Sequence, residues 1–135
     1  MIYALDSNII SYLLKDDDHV YTRYYDALLH GNKCIIPLIV YYEVLRGLKA
    51  NDSRRKMYSF ERLCFELGID ALTQDDINIA ADIYTVRKRS GAPMEDADLL
   101  ISAQCVSRGY TLVTNNTKHF YDIKGLLLED WTSIN

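Results

Sequence analysis

No apolar run in the 135 residues approaches the roughly 20 that a bilayer crossing requires, and no basic region followed by an apolar segment opens the chain. Neither a membrane span nor a signal peptide is therefore expected. Cysteine is scarce: Cys34, Cys64 and Cys105 stand far apart, form no CxxC pair and lie in apolar stretches. That pattern excludes a thiolate metal centre and predicts buried, reduced thiols of a cytoplasmic protein. Glycine-rich phosphate loops and a GxSxG nucleophile elbow are also missing. There is no excess of positive charge, because the net charge is −4, which excludes nonspecific nucleic-acid binding through a basic whole-protein field. His19, His30 and His119 show no ligand spacing, although His119 follows the fourth expected strand closely.

What remains has the balance of an ordinary domain. Hydrophobic residues make up 49% and charged residues 25%, and the length suffices for one core spanning residues 1–135. Eleven tyrosines against three phenylalanines suit buried rings with satisfied hydroxyls, in cores and interfaces alike. The stretches MIYALD, KCIIP, IDALT and YTLVT predict strands, and LLLED a fifth at an edge. Helices are expected between them. Gly31 stops one of them, Pro37 occupies the first turn of the next, and the Thr of TQDD caps a third with an acid three positions later. Strands alternating with helices imply a mostly parallel sheet of four to five strands, covered on both faces. Ligands of such sheets bind beyond the carboxyl ends of the strands, where the strand order reverses. Asp6, Asn115 and Asn116 fall at that edge.

Further carboxylates are placed to meet Asp6. Glu43 lies at least one turn into its helix, with Gly47 four residues on and on the same face. Glu95, Asp96 and Asp98 crowd the start of the helix DADLLISA, and Ser102 shares the face of Asp98. Such acids also serve as caps or as partners of the helix dipole. Asp6 reads equally as an N-cap, and one of Asp96 and Asp98 as a cap. A carboxylate cluster without His or Cys suits a hard cation such as Mg²⁺ or Mn²⁺.

Three ordered motifs resemble the PIN-domain ribonucleases, and among them the VapC-type toxins of toxin–antitoxin pairs. YALDSNIISYLL resembles the family's opening strand and turn. IPLIVYYEVLRGL resembles its second acidic segment, with a Gly four residues after the acid. DADLLISAQCVSRGYTLVTNNTKHF resembles the third, and GLLLEDW the tail. The resemblance implies a three-layer α/β/α fold, a Mg²⁺- or Mn²⁺-dependent endoribonuclease, and Asp6, Glu43 and Asp98 as its catalytic, metal-binding acids. Asp98 is preferred to Asp96 because it stands three residues before Ile101. A fourth acid belongs where Asn116 stands here; Asp96 is the alternative source of that charge. Ser7, Asn8 and Ser102 are expected to support the site. The resemblance also implies a homodimer, a cognate VapB-like antitoxin, and operator DNA bound only through that antitoxin.

Other chemistries fit less well. A haloacid-dehalogenase phosphatase needs a second Asp at position 8, where Asn8 stands, and a receiver domain needs an acid pair after its first strand. Two further readings stay within the scaffold: a catalytically weak module binding antitoxin and operator, and a nuclease of RNA processing outside any toxin–antitoxin pair. The basic run Arg46, Lys49, Arg54, Arg55 and Lys56, with a second at Arg87–Arg89, reads either as solvated helix ends or as a strip holding RNA phosphates.

Overall fold

The computed structural model describes residues 1–133; the last two residues of the expected 1–135 domain lie outside the described residues. In chain order the elements are β1 (Ile2–Leu5), α1 (Ser7–Leu14), α2 (Asp18–Leu29), β2 (Lys33–Pro37), α3 (Leu38–Ala50), α4 (Arg54–Leu67), β3 (Ile69–Asp70), α5 (Gln74–Arg89), α6 (Asp96–Arg108), β4 (Thr111–Val113), α7 (Thr117–Phe120) and β5 (Leu127–Glu129). The strands form one sheet in the order β3-β2-β1-β4-β5, and every pairing is parallel. Helices cover both faces, giving the α/β/α sandwich expected from the alternation of elements. Because both faces are covered, the central strands carry apolar residues continuously. Ala4, Leu5, Leu112 and Val113 are fully buried.

Strand order places the crevice. The chain builds outward from β1 through β2 to β3, then crosses back so that β4 pairs with the free side of β1. The reversal falls between β1 and β4, with Leu5 in register with Val113. One residue further, the backbone N–H of Asp6 donates to the Val113 carbonyl at 2.9 Å. β5 takes the outer edge as predicted, and its tail is anchored by Trp131. That ring is buried edge-on against Tyr3 and donates through Nε1 to Glu129 at 2.8 Å.

Local signals in the sequence are met in most places. Thr73 and Asp76 form the reciprocal capping box of α5, and Gly31 takes a positive φ of 80° just past the end of α2. Asp76 has a second role. It is fully buried and pairs with Arg108, which also binds Asp70, so α5, α6 and β3 are tied together. Three expectations are corrected. Pro37 ends β2 and serves as the N-cap position of α3 instead of entering its first turn. The third strand shrinks to Ile69–Asp70 because Thr73 is taken by the cap. Of the three thiols, Cys34 and Cys105 are buried but Cys64 is only half-buried. Burial pushes all three thiols up, to about 12, 11 and 12 for Cys34, Cys64 and Cys105. Among the described residues, no helix is long and apolar enough to cross a membrane.

Candidate active site

Asp6 stands at the reversal point and is only 5% exposed. It is both the N-cap of α1 and the centre of a hydrogen-bond network. Its Oδ1 accepts from the Ser7 backbone N–H at 2.8 Å. Its Oδ2 accepts from the Thr114 hydroxyl at 2.8 Å and the Asn8 amide at 3.2 Å. Thr114, one residue past β4, is fully buried, and its oxygen accepts in turn from Asn8 Nδ2 and from the Asn116 backbone N–H. One donor and two lone pairs are all that a hydroxyl has, and all are engaged. Asn8 Oδ1 accepts from the Asn115 backbone N–H at 3.1 Å, which fixes the orientation of its amide. The ends of β1 and β4 are thereby stitched together around one carboxylate.

Glu43 and Asp98 come to this point from α3 and α6, and both are half-buried. Their proximity appears in the acid–base properties. Burial raises the Asp6 carboxyl, the hydrogen bonds from Thr114, Ser7 and Asn8 oppose that rise, and the Asp98 charge adds to it. Burial likewise raises Glu43, with the charges of Asp6 and Asp98 adding to it, Arg46 opposing, and Glu95 adding a smaller push. Three acids from three separated segments thus share one field. Asp98 has a partner of its own: His119, on α7, lies 2.9 Å from its Oδ2 through Nε2. The ring of His119 is held edge-on to Phe120.

The supporting residues divide. Asn8 holds Asp6 through its side chain, whereas Ser7 does so through its backbone. Ser102 is not part of the network. It is fully buried, and its hydroxyl has no partner among the described residues, so it bonds to none of the acids. Asp96 is exposed at the first position of α6 and is no cap; Glu95 takes the cap position without a side-chain bond. Asn116 is exposed at the N-cap position of α7, also without a side-chain cap bond. In the basic run, Arg46 lies over the Tyr42 ring at 5.0 Å, and Arg54 faces Asp52 at 3.9 Å with both side chains in solvent. Thr114 and His119 are the residues that sequence reasoning did not assign. Their distance from the strand end was legible, but a hydroxyl bonding an acid 108 positions away leaves no trace in periodicity.

Among the described residues, no three of His, Cys, Asp and Glu are drawn together tightly enough to form a ready-made metal cage. The donors at the site are carboxylate oxygens that repel one another, with His119 engaged on Asp98 and no thiol lining the groove at Glu43. This set fits Mg²⁺ or Mn²⁺, which bind through a few carboxylates and keep several waters, and not a tetrahedral soft-ligand ion.

Known proteins are similar to this chain along nearly its whole length. The PIN domain profile matches residues 3–126. Ribonuclease VapC2 of Rickettsia felis is 30% identical over 136 residues, covering 97% of this chain and 98% of that one. Ribonuclease VapC1 of Haemophilus influenzae (strain R2866) is 27% identical over 146 residues, covering 98% and 99%. The crystal structure of VapBC2 from Rickettsia felis bound to a promoter DNA fragment contains a chain that superposes with a TM-score of 0.89 at 28% identity, covering 97% of this chain and 99% of that one. With its fold and its length in common with these proteins, and the family profile matching most of its residues, the chain belongs to the PIN-domain family, among the VapC ribonucleases.

Proposed function

We propose that residues 1–135 form a single PIN domain acting as a metal-dependent endoribonuclease toxin, silenced by a cognate VapB-like antitoxin. The observation that carries this is the convergence of Asp6, Glu43 and Asp98 at the β1–β4 reversal, where the charges of Asp6 and Asp98 add to the burial that raises Glu43. The ribonuclease names of the Haemophilus and Rickettsia relatives support the reaction class. The Rickettsia complex with promoter DNA supports an antitoxin partner and operator binding through it. Asp6 and Asp98 offer carboxylate oxygens to Mg²⁺ or Mn²⁺, and Thr114, Asn8 and the Ser7 backbone hold Asp6 in place for it. A bound divalent cation supplies charge neutralisation at the scissile phosphate and a lower pKa for the attacking water. Glu43, raised above the ordinary carboxylate range, orients that water and takes its proton. With Asn116 in place of a fourth acid, a second ion faces more uncompensated repulsion and binds weakly. The working unit is a homodimer in the cytoplasm.

The test is cleavage of single-stranded RNA by the purified chain with Mg²⁺. Asp6→Asn and Asp98→Asn should each abolish cleavage while the far-UV circular dichroism stays that of the parent. A chelator should stop the parent reversibly. Two folded variants that cleave as fast as the parent would overturn the assignment.

A further inference from the structure

The groove that begins at Glu43 carries three cations and no further acid among its neutral polar and apolar lining. It runs between α1 and α3, is closed by the start of α4, and encloses about 450 Å³. Lys15 reaches it from just past the end of α1, Arg46 from α3 and Lys56 from α4. None of the three is ion-paired among the described residues. Lys15 and Lys56 also line a neighbouring depression with Arg55 and Asp16, in which cations outnumber acids three to one and Glu43 takes no part. Lys49 lies elsewhere, in the depression beyond Asp52.

Gly47 gives a second, independent sign. It lies within the regular helix α3 and lines the same groove. A Cβ built there meets no atom within 4 Å, and its φ is not left-handed. Glycine in a helix interior is less stable than alanine, and no contact among the described residues calls for its missing Cβ. Space beside three unpaired cations is thus kept open at a cost in helix stability, which is what close passage of another backbone would require.

We propose that this groove holds the RNA strand flanking the scissile phosphate, with Lys15, Arg46 and Lys56 on successive phosphates and a sugar–phosphate segment passing over Gly47. The proposal rests on the ribonuclease reading and says on which side of the acids the substrate lies. No aromatic ring lines the groove, so its grip comes from phosphate contacts and not from base stacking. A peptide whose cations neutralise the acids would be repelled along this lining; a polyanion is drawn into it.

The experiment uses the full chain without metal, so that RNA is bound and not cut. A fluorescent single-stranded oligoribonucleotide is titrated at several salt concentrations. Lys15→Ala and Lys56→Ala should each weaken binding several-fold and flatten the logarithmic salt dependence by about 0.7. Lys33→Ala, the same charge change at the opposite end of β2, should alter neither. Gly47→Ala should raise the midpoint of thermal unfolding by about 3 °C while weakening RNA binding. Unchanged affinity and salt slope in both lysine variants would overturn the proposal. So would a Gly47→Ala protein that binds RNA like the parent and loses only the antitoxin, since the groove would then belong to that partner. Failure here is separable from failure of the nuclease reading: a parent that cuts RNA while its groove variants bind normally sinks the groove alone, and a parent that never cuts RNA sinks the ribonuclease reading.

Discussion

Thr114 uses its whole hydrogen-bonding capacity at the site, donating to Asp6 and accepting from Asn8 and the Asn116 backbone. Thr114→Val keeps the shape and removes all three bonds. It leaves Asp6 with one fewer donor and the Asn116 N–H without its acceptor. The expected cost is about 1–3 kcal/mol in denaturant unfolding, with cleavage reduced more than tenfold and restored by Thr114→Ser. A valine variant that cleaves normally would show that Asp6 needs no such positioning. Glu43 makes a prediction of the opposite sign. Its folded-state pKa is raised, first by burial and then by Asp6 and Asp98, so it contributes stability while protonated and loses it as pH rises through its folded pKa. In metal-free protein Glu43→Gln should therefore raise the melting temperature at neutral pH. The gain should vanish at about pH 3, below the ordinary glutamate pKa of about 4.3, and cleavage should be lost at every pH. The three acids stood out in the sequence through the motifs that resemble the PIN-domain ribonucleases, with Asp6 just past β1, Glu43 inside α3 and Asp98 in the first turn of α6. Thr114 and His119 did not, since their partners are set by the crossing of β1 and β4 and by the docking of α7.

Among the elements, α6 decides how the acids near position 96 divide their roles. Asp98 reaches inward to the site and to His119, whereas Asp96, two residues earlier, points to solvent, because positions two apart on a helix do not share a face. Asp96 makes no cap bond, so its remaining contribution is to the dipole of the first turn. Asp96→Ala should cost about 0.3–1 kcal/mol by thermal unfolding and leave cleavage unchanged across a Mg²⁺ titration. A fall in activity with stability kept would make Asp96 a ligand after all. The other end of α6 is fixed by Arg108, which clasps Asp70 and the buried Asp76. A capping box read from TQDD thereby became part of a tertiary ion network. Local capping chemistry predicted the box, but the network depends on α5 packing against α6, and no local pattern encodes that. The shortening of β3 has the same origin, with residues at an element boundary taken by the stronger local partner.

At the scale of the whole molecule, the alternation of strands and helices was enough to expect a crevice at the carboxyl ends of a doubly covered sheet, which the strand order then puts between β1 and β4. What it could not give was the charge geography around that crevice: three acids on one side, a basic groove running from Glu43, and a net charge of −4 overall. This geography bears on regulation. A pocket of three carboxylates is costly without a cation, and under the proposed function two kinds of cation would compete to relieve it: the divalent ion of the proposed cleavage, and an Arg or Lys presented by the proposed antitoxin. If both occupy the same oxygens, linkage makes the competition reciprocal, so each must weaken the other by the same factor. Raising Mg²⁺ should then weaken antitoxin binding, measured by calorimetric titration in a buffer whose ionic strength is held constant with sodium chloride. In Asp98→Asn the dependence should flatten, because that variant removes a charge on which both cations rely. An antitoxin affinity indifferent to Mg²⁺ in the parent would show that the partner blocks the groove or an outer surface and leaves the acids free.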